Sequence, residues 1–452
     1  MHMNRRSFLQ TSALAAAFLG LRTMAHADPV SRVIEAYGPL ILDPKGLLDL
    51  PEGFSYKLLS QAGGKMTDGY TVPGTFDGMA AFPGENGRVI LVRNHELSPS
   101  GAGPGELSPE ARELCYDFGE GDEKPHIGGT TTLVFNPTTG ELEAEFLSLT
   151  GTFRNCAGGA MPWGSWITCE EPSDLLELRN RKHGYCFEVK ATMAPGLQKA
   201  EPLRALGRYN HEAVALDPRT GILYLTEDRG DGLLYRFLPE KKGDFTAGRL
   251  QALSVVGRPG LDLRNYEAAN VGNHLREGQA MAVAWIDLED IDAPNDDLRK
   301  RGAKAGAAVF ARGEGIHYHE GTAYICCTDG GPQRRGQIFK LTPSESTAGG
   351  DQLELFIEAT KSDLLTNGDN LCAAPWGDLV VCEDFAVAEA GPFPCLRGVT
   401  PEGRIYPIAR NMKSASELAG SCFSPDGKWL FVNVQNPGNT FAITGPWEKR
   451  RV

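Results

Sequence analysis

Short runs of alternating apolar and polar residues recur along this chain, most of them paired across a turn rich in Pro, Gly or Asp. Alternation at period two marks a strand with one buried face, and two such runs across a tight turn make a hairpin. The block Cys156–Glu171 has this plan: a strand, a turn at Pro162–Gly164, and a second strand that ends in Glu170 and Glu171. Glu212–Glu227, Glu314–Asp329, Asp369–Asp384 and Gly420–Gln435 repeat it, and in all five the ends stand fifteen positions apart. Asp77–Glu96 is a sixth copy, longer by four residues around Pro83–Gly87. Further short strands follow, as in Thr130–Val134, Leu233–Phe237 and Gly336–Lys340. A supersecondary unit repeated six times predicts an all-β fold, a six-bladed β-propeller with inserted loops, with stacked β-sandwiches as the alternative. The longest gap, 242–313, holds the polar stretch Asn295–Arg301, expected to be a surface loop or short helix. A strand from about residues 40–60, or from the C-terminus, is expected to close the ring.

The repeat has chemical content. In a hairpin the start of the first strand lies beside the end of the second. If the first strands are innermost, these ends converge on one mouth of a central channel. The residues there are Asp77, Asn94, Glu96, Cys156, Glu171, Glu212, Glu227, Asp228, Glu314, Asp329, Asp369 and Asp384. Adjacent positions face opposite ways, so one member of each pair Glu170/Glu171, Glu227/Asp228 and Glu383/Asp384 points inward. Glu171, Glu212, Glu227 and Glu314 hold the strictest repeat positions. So many carboxylates in one funnel raise one another's pKa and call for multivalent cations. Carboxylates and the amides of Asn94, Asn155, Asn210 and Asn370 suit calcium, whereas a thiolate at Cys156 suits a transition metal. Arg312, two residues before Glu314, is placed to hold a phosphoryl group bidentately, or to neutralise a neighbouring acid. His95 and His211 are either partners that orient carboxylates or histidines packed between sheets.

Composition narrows the classes. With 45 Lys and Arg against 58 Asp and Glu the chain carries a net charge of −13, which repels phosphate backbones and argues against nucleic-acid binding. Its 54 Gly and 29 Pro exceed the usual share and fit a turn-rich β fold. The segment 1–27 opens with Arg5 and Arg6 before Ser7-Phe8-Leu9, continues in an apolar run, and ends in Ala25-His26-Ala27. It looks like a twin-arginine signal peptide, too short to serve as a membrane anchor. The twin-arginine export machinery is then a partner, and the domain 28–452 a soluble periplasmic or secreted monomer. None of the ten cysteines forms a CxxC pair, and most sit in apolar strand contexts as small hydrophobes. Neither a phosphate-binding glycine loop nor a GxSxG elbow is present.

Several motifs together resemble the PhoX-type alkaline phosphatases. They are Cys156–Glu171, Gly207–Glu212, Tyr224–Arg229, Gly313–Ile316, Asp369-Asn370 with Val381–Asp384, and the C-terminal hairpin Cys422–Gln435. The likeness runs from about residue 75 to 440. It implies hydrolysis of phosphate monoesters by a cluster of ferric and calcium ions (Fe3+ and Ca2+) in a six-bladed propeller. Cys156 would bridge the irons, with Glu171, Glu227 and Glu314 as iron or shared ligands. Glu212 and some of Glu96, Asp369 and Asp384 would serve calcium, and Arg312 would hold the substrate. Ala311-Arg-Gly-Glu-Gly replaces a family pattern that often has proline before the glutamate, so the loop before Glu314 departs from that pattern. A calcium-dependent propeller esterase or lactonase and a non-catalytic periplasmic binding propeller remain the competing classes.

Overall fold

The structure, a computed structural model, describes residues 32–119, 126–172, 181–266, 274–345, 349–360, 365–384 and 393–451. The expected signal peptide lies outside these residues. Among the described residues there are 26 strands in five antiparallel sheets, and only two α-helices, Pro109–Leu114 and Leu298–Lys304. The second helix falls in the polar stretch of the longest gap.

Each of the six sequence hairpins forms. Their first strands are Phe76–Pro83, Asn155–Met161, His211–Leu216, Gly313–His319, Gly368–Ala373 and Leu418–Phe423, each paired antiparallel with the strand that follows. Each first strand also packs beside the next hairpin's first strand, and the last packs beside the first, closing a ring. The ring surrounds a cavity of about 270 Å3 lined by residues of all six strands. The fold is therefore all-β and propeller-like. Two hairpins share one nine-stranded sheet, joined through Ala280–Asp287, which pairs with Asp244–Val255 on one side and Gln352–Glu358 on the other. Closure involves both ends of the chain: Ser55–Gln61 adds to the outside of the C-terminal sheet by pairing with Asn439–Thr444.

The sheets stack face to face, so strands such as Leu379–Glu383 and His211–Leu216 are buried on both sides. Phe135 against Phe431 fills the space between neighbouring sheets edge to face at 5.2 Å, and Phe310 packs edge to face on Phe339 of the nine-stranded sheet at 5.4 Å. Near the mouth, adjacent first strands leave no room for a side chain at Gly78 or Gly315. A Cβ on Gly78 would lie 2.6 Å from Ala157 Cα, and one on Gly315 would lie 2.7 Å from the Asp369 carbonyl oxygen. This close approach crowds whatever the strands carry at the channel mouth.

Candidate metal centre

Every first strand slips register near its start, between Phe76 and Met79, Asn155 and Gly158, His211 and Val214, Gly313 and Ile316, Gly368 and Leu371, and Ala419 and Cys422. A bulge re-aims the side chain inside it. In five of the six the first residue within the irregular stretch is a metal-ligating type: Asp77, Cys156, Glu212, Glu314 and Asp369. The second strand delivers the residue just beyond its end. Glu96, Glu171, Asp228 and Asp384 hold that place, their backbone N–H groups bonded to the carbonyls of Thr75, Arg154, Asn210 and Asn367 at 2.9–3.3 Å.

The result is a chain of overlapping donor sets. Donor atoms of Asp77, Glu96 and Cys156 lie within 4.8 Å of one another, as do those of Cys156, Glu171 and Glu212, and those of Glu212, Glu314 and Asp369. Cys156 and Glu212 are shared, so the three sets form one continuous cluster. Glu212 is completely buried and neither of its carboxylate oxygens has a hydrogen-bond partner. An isolated buried carboxylate of this kind is costly unless a cation or a proton neutralises it.

Electrostatics agrees. Burial first, then the neighbouring acids, pushes Glu171, Glu212 and Glu314 well above the carboxylate range, and Asp369 up to about 8. Asp77 is raised well above it by burial, Glu96 and Asp369. Burial and the surrounding carboxylates likewise raise the Cys156 thiol well above its ordinary value. Bound cations would reverse these shifts, and the donor set, oxygen-rich with one sulfur, fits hard calcium together with a thiolate-accepting transition metal.

Arg312 reaches into the same mouth. Its Nε and Nη2 donate to the two Asp228 oxygens at 2.7 and 2.9 Å, Nη2 also to Glu314 at 2.7 Å, and Nη1 to Asp384 at 3.4 Å. Arg312 and its equivalents Thr75, Arg154 and Asn367, each two residues before a mouth-facing side chain, have left-handed φ values of 45–51°. A non-glycine residue held there stores backbone strain, and such residues concentrate at functional sites.

Of the expected ligands, the structure brings together Cys156, Glu171, Glu212, Glu314, Glu96, Asp369 and Asp384, and leaves Glu227 apart. Glu227 ends its strand in register with His211, and its carboxylate turns to the other face. There it accepts from Tyr235 Oη at 2.6 Å and the Leu233 N–H at 3.3 Å, with Arg299 at 3.9 Å. Asp228, the alternating neighbour, faces the mouth instead. The constant spacing of fifteen misled here because paired ends are separated by different loop lengths: Asn155 pairs with Glu170, but His211 with Glu227 and Gly313 with Cys327. The short loop in the last case also displaces Asp329, which bonds Tyr266 and Arg334 while Thr328 takes the mouth position. Asn94 and Asn155 are consumed by bonds to the backbone and to Thr and Trp side chains. His95 bonds the Gly74 carbonyl and Thr131, and His211 stacks on Tyr209 at 3.6 Å, so both are packed histidines.

Three participants escaped the sequence reading. Arg154 donates from Nε to Glu96 at 2.9 Å and from Nη2 to Glu171 at 2.9 Å. It precedes Cys156 by two residues as Arg312 precedes Glu314, a signal the repeat offered. Glu417 is raised well above the carboxylate range by burial and by Asp384, Asp77 and Asp369, and Gln435 donates to Asp77 at 3.2 Å and Glu96 at 2.8 Å.

A ring of bulged strands that presents buried acids, one thiol and two fixed guanidiniums defines a propeller hydrolase built around metal ions. The family model described as alkaline phosphatase PhoX matches residues 35–140 and 128–438, and the chain belongs to that family of metal-dependent phosphatases. Among solved structures, PhoX of Pseudomonas fluorescens in complex with vanadate, a transition state analogue, aligns with a TM-score of 0.66 at 18% identity, covering 93% of this chain and 99% of that one. A gluconolactonase of Xanthomonas campestris aligns with a TM-score of 0.41 at 12% identity, covering 91% and 99%. The periplasmic gluconolactonase of Pseudomonas aeruginosa aligns at 0.40 and 13%, covering 85% and 89%. A search of curated proteins returns no match.

Proposed function

We propose that the chain hydrolyses phosphate monoesters at a multinuclear iron and calcium cluster in the mouth of a six-bladed propeller. The nine-stranded sheet then counts as two blades joined through Ala280–Asp287. The observation that carries this reading is Glu212, whose carboxylate is buried without a partner between a thiol-containing donor set and an all-oxygen set. Cys156, with Glu171 and Glu212, would hold iron. Glu314, Asp369 and Asp384, with Asp228 in place of Glu227 and Asp77 and Glu96 on the other side, would complete the oxygen positions for calcium.

Bound ions supply Lewis-acid polarisation of the phosphoryl oxygens and neutralise the charge that builds on them. Arg312 has a planar fork that matches two phosphoryl oxygens, and its strained backbone fixes where the fork points. Its three acid partners orient it before substrate arrives, and exchange of the weakest, Asp384 at 3.4 Å, frees Nη1 for substrate. Arg154 holds Glu96 and Glu171 in place as their charges face the thiol. Among the described residues no helix is long and apolar enough to cross a membrane. Export by the twin-arginine route would deliver the folded monomer with its ions already loaded.

Elemental analysis of the purified protein beside an aryl-phosphate assay tests the reading. Iron and calcium are expected, with turnover that EGTA abolishes and calcium restores. Turnover on lactones or carboxylic esters without iron would hand the site to the calcium esterase class, and full metal content without turnover on any ester to a binding propeller.

A further inference from the structure

Away from the mouth, a second group of donors converges from three segments distant in sequence. Asp117 follows the helix Pro109–Leu114, His126 leads into the strand Gly128–Asn136, and His183 leads into Cys186–Lys190. Their ligating atoms lie within 4.8 Å of one another. Both imidazoles aim Nε2 at one oxygen, Asp117 Oδ2, at 3.2 Å from His183 and 3.8 Å from His126. Tetrahedral coordination with bonds of about 2.0–2.1 Å sets donor atoms about 3.3 Å apart, close to this spacing.

What surrounds the three residues prepares them for a metal. His183 Nδ1 donates to Glu170 Oε1 at 2.6 Å, and that carboxylate is itself held by the N–H groups of Phe153, Gly184 and Tyr185 at 2.8–3.1 Å. A carboxylate on the far nitrogen is the arrangement that fixes a ligating histidine's tautomer and turns its Nε2 lone pair to the metal. Asp117 Oδ1 accepts from the Gly119 N–H at 2.9 Å, which leaves Oδ2 to face the two imidazoles. His183 is fully buried, and the Tyr116 and Phe153 rings wall the site at 5.2 Å from His183 and His126 respectively. His126 Nδ1 has no hydrogen-bond partner among the described residues.

We infer that Asp117, His126 and His183 form a site for a divalent transition metal of the zinc class, separate from the phosphatase cluster. Two imidazoles beside one carboxylate make a nitrogen-rich set that suits zinc and not calcium. Water takes the fourth position. In the metal-free state a proton on His183 satisfies the contacts to Asp117 and Glu170; zinc displaces that proton to solvent as it binds Nε2. The ion ties three segments together behind Glu170, whose carboxylate is already fixed by three backbone N–H groups, so the mouth does not depend on it.

The test uses the purified holoenzyme, equilibrated with zinc chloride and freed of excess by gel filtration, with zinc, iron and calcium counted together. The wild type is expected to gain one equivalent of zinc. His126→Gln and Asp117→Asn are expected to gain none, with iron, calcium and aryl-phosphate turnover unchanged. His126 lies at the edge of the site, its side chain 13% exposed, so its variant folds even if Asp117→Asn does not. Cobalt in place of zinc should give the visible bands of a tetrahedral ion in the wild type and not in His126→Gln. Equal zinc in wild type and His126→Gln, or zinc gained only as iron or calcium is lost, would overturn the inference. Because the readout is metal content, it stands or falls independently of which ester the mouth hydrolyses.

Discussion

The mouth has two halves built from equivalent hairpin positions but carrying different donor atoms. One half places Asp77, Glu96 and Glu171 around the Cys156 thiol, with Arg154 clamped between Glu96 and Glu171. The other places Glu314 and Asp369 around Glu212 in an all-oxygen set, with Arg312 fixed by Asp228, Glu314 and Asp384. Each half also carries a left-handed arginine two residues before a ligand, Arg154 before Cys156 and Arg312 before Glu314. The scaffold therefore fixes where the donor side chains sit; in the proposed function, the identity of one side chain per bulge would set which metal each half prefers.

The largest effect is expected where the halves meet. Glu212→Gln removes the donor they share, and kcat should fall by at least about a thousandfold, the scale of losing a preorganised charge at the reacting group. Elemental analysis should find both iron and calcium reduced; loss of one metal alone would show that Glu212 serves a single half. Next, Cys156→Ser should remove iron and any thiolate-to-iron visible absorption while calcium stays, whereas Glu314→Gln should do the reverse. Identical losses in the two variants would dissolve the distinction.

The arginines separate by what they touch. Arg312→Ala should lower kcat about a hundredfold with metal content intact, since it removes a fork that matches phosphoryl oxygens. Arg154→Ala should cost about tenfold, read as weaker retention of both metals, because it acts through Glu96 and Glu171. Smallest is a pH effect on metal-free protein. Asp369 sits at about 8 when folded against 3.8 in its ordinary state, because burial and Asp384 disfavour its charge. A carboxyl raised in this way contributes stability below its unfolded pKa, lost as pH rises through the folded value. Chelated protein should therefore lose Tm between about pH 4 and pH 8, and reloaded protein should not.

Much of this was readable from the sequence because turns and alternation are local. The six hairpins and the gathering of Cys156, Glu171, Glu212, Glu314 and Asp369 follow from the repeat, which leaves closure open between a segment at about 40–60 and the C-terminal strand; the two pair with each other. What it hid depends on register. Whether Glu227 or Asp228 faces inward turns on a one-residue difference in loop length, and a slip of one exchanges the two faces of a strand. Glu417 lies before the last copy begins and carries no repeat signal of its own. The bulges, which re-aim every central ligand, are invisible to a period-two pattern.

The pairing of Ser55–Gln61 with Asn439–Thr444 sets an order of events. Acids at the mouth come from positions as far apart as Asp77 and Glu417, and the sheet of the last hairpin needs both Ser55–Gln61 and Asn439–Thr444. A chain that lacks Asn439–Thr444 cannot complete this sheet. If the proposed function holds, ions would be captured only once the two distant strands have met, and a nonsense mutation that trims Asn439–Thr444 should lower the iron and calcium that the protein retains.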